Sequence, residues 1–260
     1  HLVHMPSHIY INVGRYADAV AVNESASTLD AAYFRAYGKP TFYRIYFLHN
    51  LHFAAYAAMM EGRKDLALRY VRRMEDEIPE GLLRQYAGFI DGQIGSRMHV
   101  YVRFGMWRES LGVPECPEYR KASRALRRYA RTVALANLGR TEEARAELAR
   151  FDQAAAATPK EWTLLQNPSQ NVYRLARQVA TGEILWREGK PKESISLLRK
   201  AAELEQDLVY TEPPAWMLPV RHALGAIQLA SGDALGAETT YREDLKKNKE
   251  NAWSLLGLHQ

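Results

Sequence analysis

The feature that most limits what this chain can fold into is a regular glycine punctuation. Gly14, Gly62, Gly105, Gly139, Gly189 and Gly232 each close a segment whose apolar residues recur with helical period. A basic or polar residue usually follows, and a small one recurs five positions after the glycine. Ala19, Ala67, Ala144 and Ala237 stand there, and Ser194 does so after Gly189-Lys190-Pro191. Gly105-Met106-Trp107 is a weaker instance. Successive glycines lie 48, 43, 34, 50 and 43 residues apart.

The physics of such a unit is a helix–turn–helix. Glycine adopts the left-handed conformation that ends one helix, and the small residue lets the next helix approach it closely. One pair cannot bury its own apolar side, so pairs must stack. The expected fold is therefore all-α, a right-handed solenoid of about five to six antiparallel helix pairs. With 47% hydrophobic and 25% charged residues, the chain has the apolar surface to build such a core. It lacks any run of about 18 uncharged apolar residues, so no membrane span is expected.

The periodicity predicts helices near 6–13, 15–34, 43–61, 63–77, 81–104, 119–138, 140–157, 169–188, 190–208, 215–230 and 232–247, with another beginning at Asn251. Loops are marked by Gly38-Lys39-Pro40, Pro114-Glu115-Cys116-Pro117, Thr158-Pro159 and Glu212-Pro213-Pro214. No segment alternates strictly enough for a central strand. Trp107 to Tyr119, with two prolines, divides a histidine-rich N-terminal array (1–112) from a C-terminal one (118–260) within one continuous solenoid. The first residues show neither the basic nor the apolar part of a signal peptide. Because the chain opens at His1 inside an apparent structural element, a fragment or processed chain is expected. The compartment stays open between cytoplasm and periplasm.

Histidine is distributed unevenly. Five of eight, His1, His4, His8, His49 and His52, fall in the first 52 residues. The i, i+3, i+7 spacing of His1, His4 and His8 suits one helix face, although Pro6 requires a helix there to kink or to begin at the proline. His49 and His52 share a face of a later helix. Stacked repeats would bring the two groups together. Imidazoles from facing helices are a normal way to hold a transition metal ion, whether zinc, copper, iron or nickel. Histidines on inner faces also serve as hydrogen-bonding core residues, and aromatics such as Tyr46 and Phe53 crowd the same region. Glu24, Asp30 and Glu61 are the acidic residues nearest in sequence for supporting a metal ligand, and His99 could join either arrangement.

The stretch His1-Leu-Val-His4-Met5-Pro6-Ser7-His8-Ile9-Tyr10, with Gly14-Arg15-Tyr16 and Asn23, resembles a group of bacterial tetratricopeptide-repeat proteins. So do His49-Asn50-Leu51-His52-Phe53 and the run Tyr210-Thr-Glu212-Pro213-Pro214-Ala-Trp216 with Pro219-Val220-Arg221. Tyr241-Arg242-Glu243-Asp244-Leu245 and Asn251-Ala-Trp253-Ser254-Leu255 extend the resemblance over nearly the whole chain. It implies a repeat solenoid, with further repeats ahead of the residues that match His1. It implies no reaction.

Two other constellations bear on function. Arg120, Arg124, Arg127 and Arg131 form a helical stripe that suits an acidic ligand, or a solvated face paired with Glu142, Glu143 and Glu147. The net charge is only +5, so a nucleic-acid partner is disfavoured. Tyr210, Glu212, Trp216 and Arg221 surround a double proline. They could present an aromatic and a carboxylate to a ligand, or form a packing cap with Glu212 paired to Arg221. Cys116 is the only cysteine, which excludes a disulfide framework. No phosphate loop, dinucleotide fingerprint or His-Glu-x-x-His motif is present.

Two functional readings follow. The first is a scaffold of tetratricopeptide type whose concave groove binds a peptide, a protein segment or a small-molecule ligand, with Tyr46, Asn50, His99, Glu212, Trp216 and Arg221 as candidate contacts. The alternative is a metal-binding protein or metalloenzyme, with a transition metal ion on His4, His8, His49 and His52.

Overall fold

The computed structural model describes residues 2–38 and 43–260. His1 and most of the expected Gly38-Lys39-Pro40 loop lie outside the described residues. The described residues are mostly helical. The N-terminal half contains α1 (Pro6–Asn12), α2 (Tyr16–Tyr37), α3 (Tyr43–Met60), α4 (Lys64–Glu77), α5 (Glu80–Gln85), α6 (Ala87–Ile94), α7 (Arg97–Arg103) and α8 (Trp107–Gly112). The C-terminal half contains α9 (Lys121–Asn137), α10 (Thr141–Ala156), α11 (Ser169–Arg187), α12 (Pro191–Gln206), α13 (Val220–Ala230), α14 (Ala234–Lys247) and α15 (Ala252–His259).

One turn geometry recurs at all six punctuating glycines. Each has φ between +64° and +88°. The N–H of the following residue reaches back to the carbonyl five positions earlier, as in Arg63 to Ala58 at 2.9 Å, Arg140 to Leu135 at 2.9 Å and Lys190 to Leu185 at 3.0 Å. This is the Schellman closure, which satisfies carbonyls that a helix end would otherwise leave bare. Ala19, Ala67, Ala144, Ser194 and Ala237 are all buried. Ser110 occupies the same place after Gly105 and is also buried, so the weak instance obeys the rule. The resulting pairs include α3 with α4, α9 with α10, α11 with α12, and α13 with α14.

Two expectations need correction. The single helix expected over 81–104 is three helices, α5, α6 and α7. Glycines at 88, 92 and 95 let other elements approach there: a Cβ on Gly92 would lie 2.7 Å from Leu164, and one on Gly95 3.0 Å from Leu126. Helical periodicity survives such interruptions and conceals them. The helix expected from 215 begins at Val220, because the chain before it is turned inward, with Trp216 and Met217 in the core. A short antiparallel hairpin, Thr163–Leu164 against Asn167–Pro168, also stands beside α6.

The core centres on α3, where Phe47, Leu48, Leu51 and Phe53 through Met60 are all buried. A helix apolar on every side must be surrounded. The C-terminal elements complete the enclosure. Trp253 on α15 donates its indole N–H to the Met59 carbonyl at 2.7 Å and packs edge-on to Phe104 at 5.6 Å. Gly14 abuts the turn at Lys249 and Glu250. A buried Asp244 gathers α13 to α15, accepting from Asn251 and Ser254 at 2.9 and 2.7 Å and meeting His222 at 2.8 Å.

The arginine stripe is occupied by its own carboxylates. Glu115 meets Arg124, Arg127 and Arg128 at 3.5, 2.8 and 2.8 Å. Glu147 binds Arg128, Arg131 and Arg150 at 2.8–3.0 Å. Glu143 turns to Arg140 instead.

The abutment at Gly14 yields a paired test. Alanine at Gly14 or Gly139 carries the same left-handed penalty of about 1–2 kcal/mol. At Gly14 the new methyl also meets Glu250 Cβ and the Lys249 carbonyl at 2.7 Å, whereas at Gly139 it meets nothing within 4 Å. Urea unfolding should show Gly14→Ala costing about 1–3 kcal/mol more than Gly139→Ala. Equal costs would mean that the two ends of the chain do not press together.

Candidate metal centre

The site begins with Pro6. Its fixed φ starts α1 at the proline, so His4 sits in the preceding turn and His8 one turn into the helix. Packing of α1 on α2 and of α2 on α3 then carries both toward His49 on α3. The ring centroids of His4 lie 4.8 Å from those of His8 and His49, and the His8 and His49 rings stack at 5.9 Å. One nitrogen from each ring falls within 4.8 Å of the others. Phe53, one turn beyond His49, packs edge-on to all three at 4.8–5.6 Å and gives the group an apolar floor.

Hydrogen bonds fix which nitrogen faces inward. Asn23 on α2 is buried, and its amide N–H donates to the Ala19 carbonyl at 2.7 Å. Its oxygen is thereby turned to His4 Nδ1 at 2.7 Å, which makes Nδ1 the donor. His8 Nδ1 donates to the Glu212 carboxylate. In the neutral rings the lone pairs are then on the two Nε2 atoms, which face each other at 3.0 Å. Two lone pairs at that distance repel, and either a proton on one nitrogen or a metal ion between them removes the repulsion. Nitrogens about 2.0–2.1 Å from one tetrahedral ion stand roughly 3.3 Å apart, so this pair is at ligand spacing. His49 completes the group, its nitrogen within 4.8 Å of the other two.

Burial opposes a proton on His49 and on His4. It pushes His49 down to about 3, with His4, His52 and His8 adding to the effect. Burial also lowers His4, although its bond to Asn23 acts the other way. A ligand nitrogen backed by a carboxylate or carbonyl on its other side is the usual outer support of a metal-bound histidine. Glu212 supplies it for His8, and Asn12 and Tyr210 donate to the same carboxylate.

A cleft of about 440 Å³ opens beside the group. His8, His49, Glu212, Tyr46 and Tyr210 form one side, while Phe89 and Leu165 contribute apolar surface. Of the residues expected to bind a ligand, Tyr46 and Glu212 are therefore at the cleft. Asn50 is not: it donates to Asp30 at 2.8 Å, beside the Tyr43 hydroxyl on the same carboxylate. His99 and Trp216 are core residues in edge contact at 4.9 Å. Arg221 is not among the partners of Glu212; its charge acts on Glu205 and Glu243.

His52 faces away from the triad, with Nε2 3.2 Å from Met217 Sδ. Glu24 and Glu61 pair with Arg69 and Arg63, so neither backs a histidine. The supporting carboxylate comes from 204 residues away instead. Asn23 stood in the sequence without a role, because its function depends on which helix faces α1.

The buried imidazoles make a signed pH prediction for the metal-free protein. His49, His52 and His99 are held at about 3, 4 and 3, below an ordinary value near 6.5. Between those values the unfolded chain takes up protons that the folded one refuses. Their contribution to stability is complete above pH 6.5 and is lost as the pH falls through the folded values. Each can contribute a slope of about 1.4 kcal/mol per pH unit. Burial raises Glu205 to about 7, which has the opposite sign but is common to wild type and variant. Urea midpoints in chelator should therefore show His99→Leu flattening the pH 6 to 4.5 slope by about one such increment; an unchanged slope would mean that His99 titrates normally.

Comparison of the chain with protein-family models, with characterised proteins and with solved structures finds no match.

Proposed function

We propose that this protein is a tetratricopeptide-like solenoid that holds one divalent transition metal ion on His4, His8 and His49 and offers a ligand access to it from the adjacent cleft. The observation that carries the reading is the convergence of His4, His8 and His49, with the Nε2 atoms of His4 and His8 3.0 Å apart and each of those two rings bonded from behind by Asn23 or Glu212. Three neutral imidazoles suit zinc, copper, iron or nickel, and three protein ligands leave a position for water or substrate. An ion held by these three residues would supply Lewis acidity toward an oxygen of the ligand or toward a bound water. Glu212 is a positioning residue, since both its oxygens are engaged by His8, Asn12 and Tyr210.

The repeat reading rests on the six Schellman turns and the small buried residues five positions after their glycines. A second reading, in which the cleft captures a peptide or small ligand without chemistry, draws on Tyr46, Phe89 and Tyr210, aromatic residues exposed at its rim.

Untagged protein, dialysed and analysed by mass spectrometry, should carry about one metal ion per chain. His8→Ala and His49→Ala should each remove it, and Glu212→Gln should weaken binding by roughly 10–100-fold. Metal-free wild type that takes up no zinc, nickel or cobalt on titration would overturn the metal reading. Peptide or small-molecule capture by that same metal-free protein would leave the scaffold reading in possession.

A further inference from the structure

Below the cleft lies a second hollow, and its chemistry differs. Its volume is about 10 Å³, room for one ion or one water and too little for a substrate. Gln93 and Leu165 line both hollows, so a single wall separates them. His52, Ser96, His99 and Met217 line the inner one, all of them buried. His52 Nδ1, both ring nitrogens of His99 and the Ser96 hydroxyl have no hydrogen-bond partner. Native interiors rarely leave so many polar atoms unsatisfied in one place, which points to an occupant.

We infer that this chamber is a site for a single cuprous ion, ligated by His52, His99 and the thioether of Met217. Three observations select that ion. His52 Nε2 and Met217 Sδ come from chain segments 165 residues apart and meet at 3.2 Å, within hydrogen-bonding distance and close enough for both to reach one ion. A thioether is a soft donor that suits Cu(I) and is passed over by hard divalent ions. Among the described residues none that lines the chamber bears a carboxylate, so a divalent charge there would be poorly compensated, whereas a monovalent one is much less costly to bury. The ion enters from the cleft, past Gln93 and Leu165. This assignment is independent of the metal on His4, His8 and His49, because the two sites share no ligand.

The test is an anaerobic titration of metal-free, untagged protein with Cu(I) held by a competing chromophoric chelator, followed by X-ray absorption of the loaded sample. Wild type should extract one equivalent into this chamber and show a copper–sulfur scatterer. His8→Ala, which removes only the upper site, should retain both the equivalent and the sulfur signal. Met217→Leu preserves volume; it should lose the sulfur signal and weaken Cu(I) binding by more than the roughly tenfold that loss of an outer-shell partner causes. No extraction by wild type, or extraction without sulfur scattering, would overturn the assignment and indicate an ordered water in the chamber. A Cu(I) signal abolished by His8→Ala would overturn it too, because the copper would then belong to the upper site. If Met217→Leu fails to fold, the sulfur signal of wild type and His8→Ala still decides.

Discussion

Close antiparallel pairing of helices, made possible by a left-handed glycine and a small residue five positions later, is the constraint on which the other features depend. The glycine turns the chain within two residues and satisfies the end of the preceding helix. The buried small residue then removes the side chain that would hold the helices apart. Without that spacing α3 could not be enclosed on all sides, and α1 and α3 could not present their imidazoles to one another. The site is thus a consequence of helix separation as much as of histidine content.

Enclosure is completed by the segment 209–219, which departs from the repeat pattern. It places Glu212 behind His8 and drives Trp216 and Met217 into the core among His52, His99 and Tyr129. One stretch of irregular chain therefore touches both groups of histidines. At its outer end a carboxylate orients an imidazole; at its inner end a thioether meets another. Helical surfaces alone would not do this, because neither the carboxylate nor the sulfur lies on a helix.

His49 and His52 illustrate how the two groups separate. Three residues apart on one helix, they read as a single ligand pair. On α3, however, helices and chain pack on every side, so a rotation of about 300° between residues three apart points them at different neighbours. His49 looks toward α1 and the cleft, and His52 toward Met217. Spacing established that both lie on related faces; it could not establish what lies opposite.

The residues by themselves determined the helix-pair architecture, because glycine's access to positive φ and the size of a small side chain are local properties that leave a periodic trace. They also placed His4 and His8 where either a kink or a helix start at Pro6 lets both reach one side. Tertiary structure alone decided that Glu212 rather than Glu24, Asp30 or Glu61 supports the histidines, that Asn23 fixes the tautomer of His4, and that 81–104 breaks into three helices. Those outcomes depend on which surfaces meet across hundreds of residues, and a contact formed by packing leaves no period in the chain that makes it.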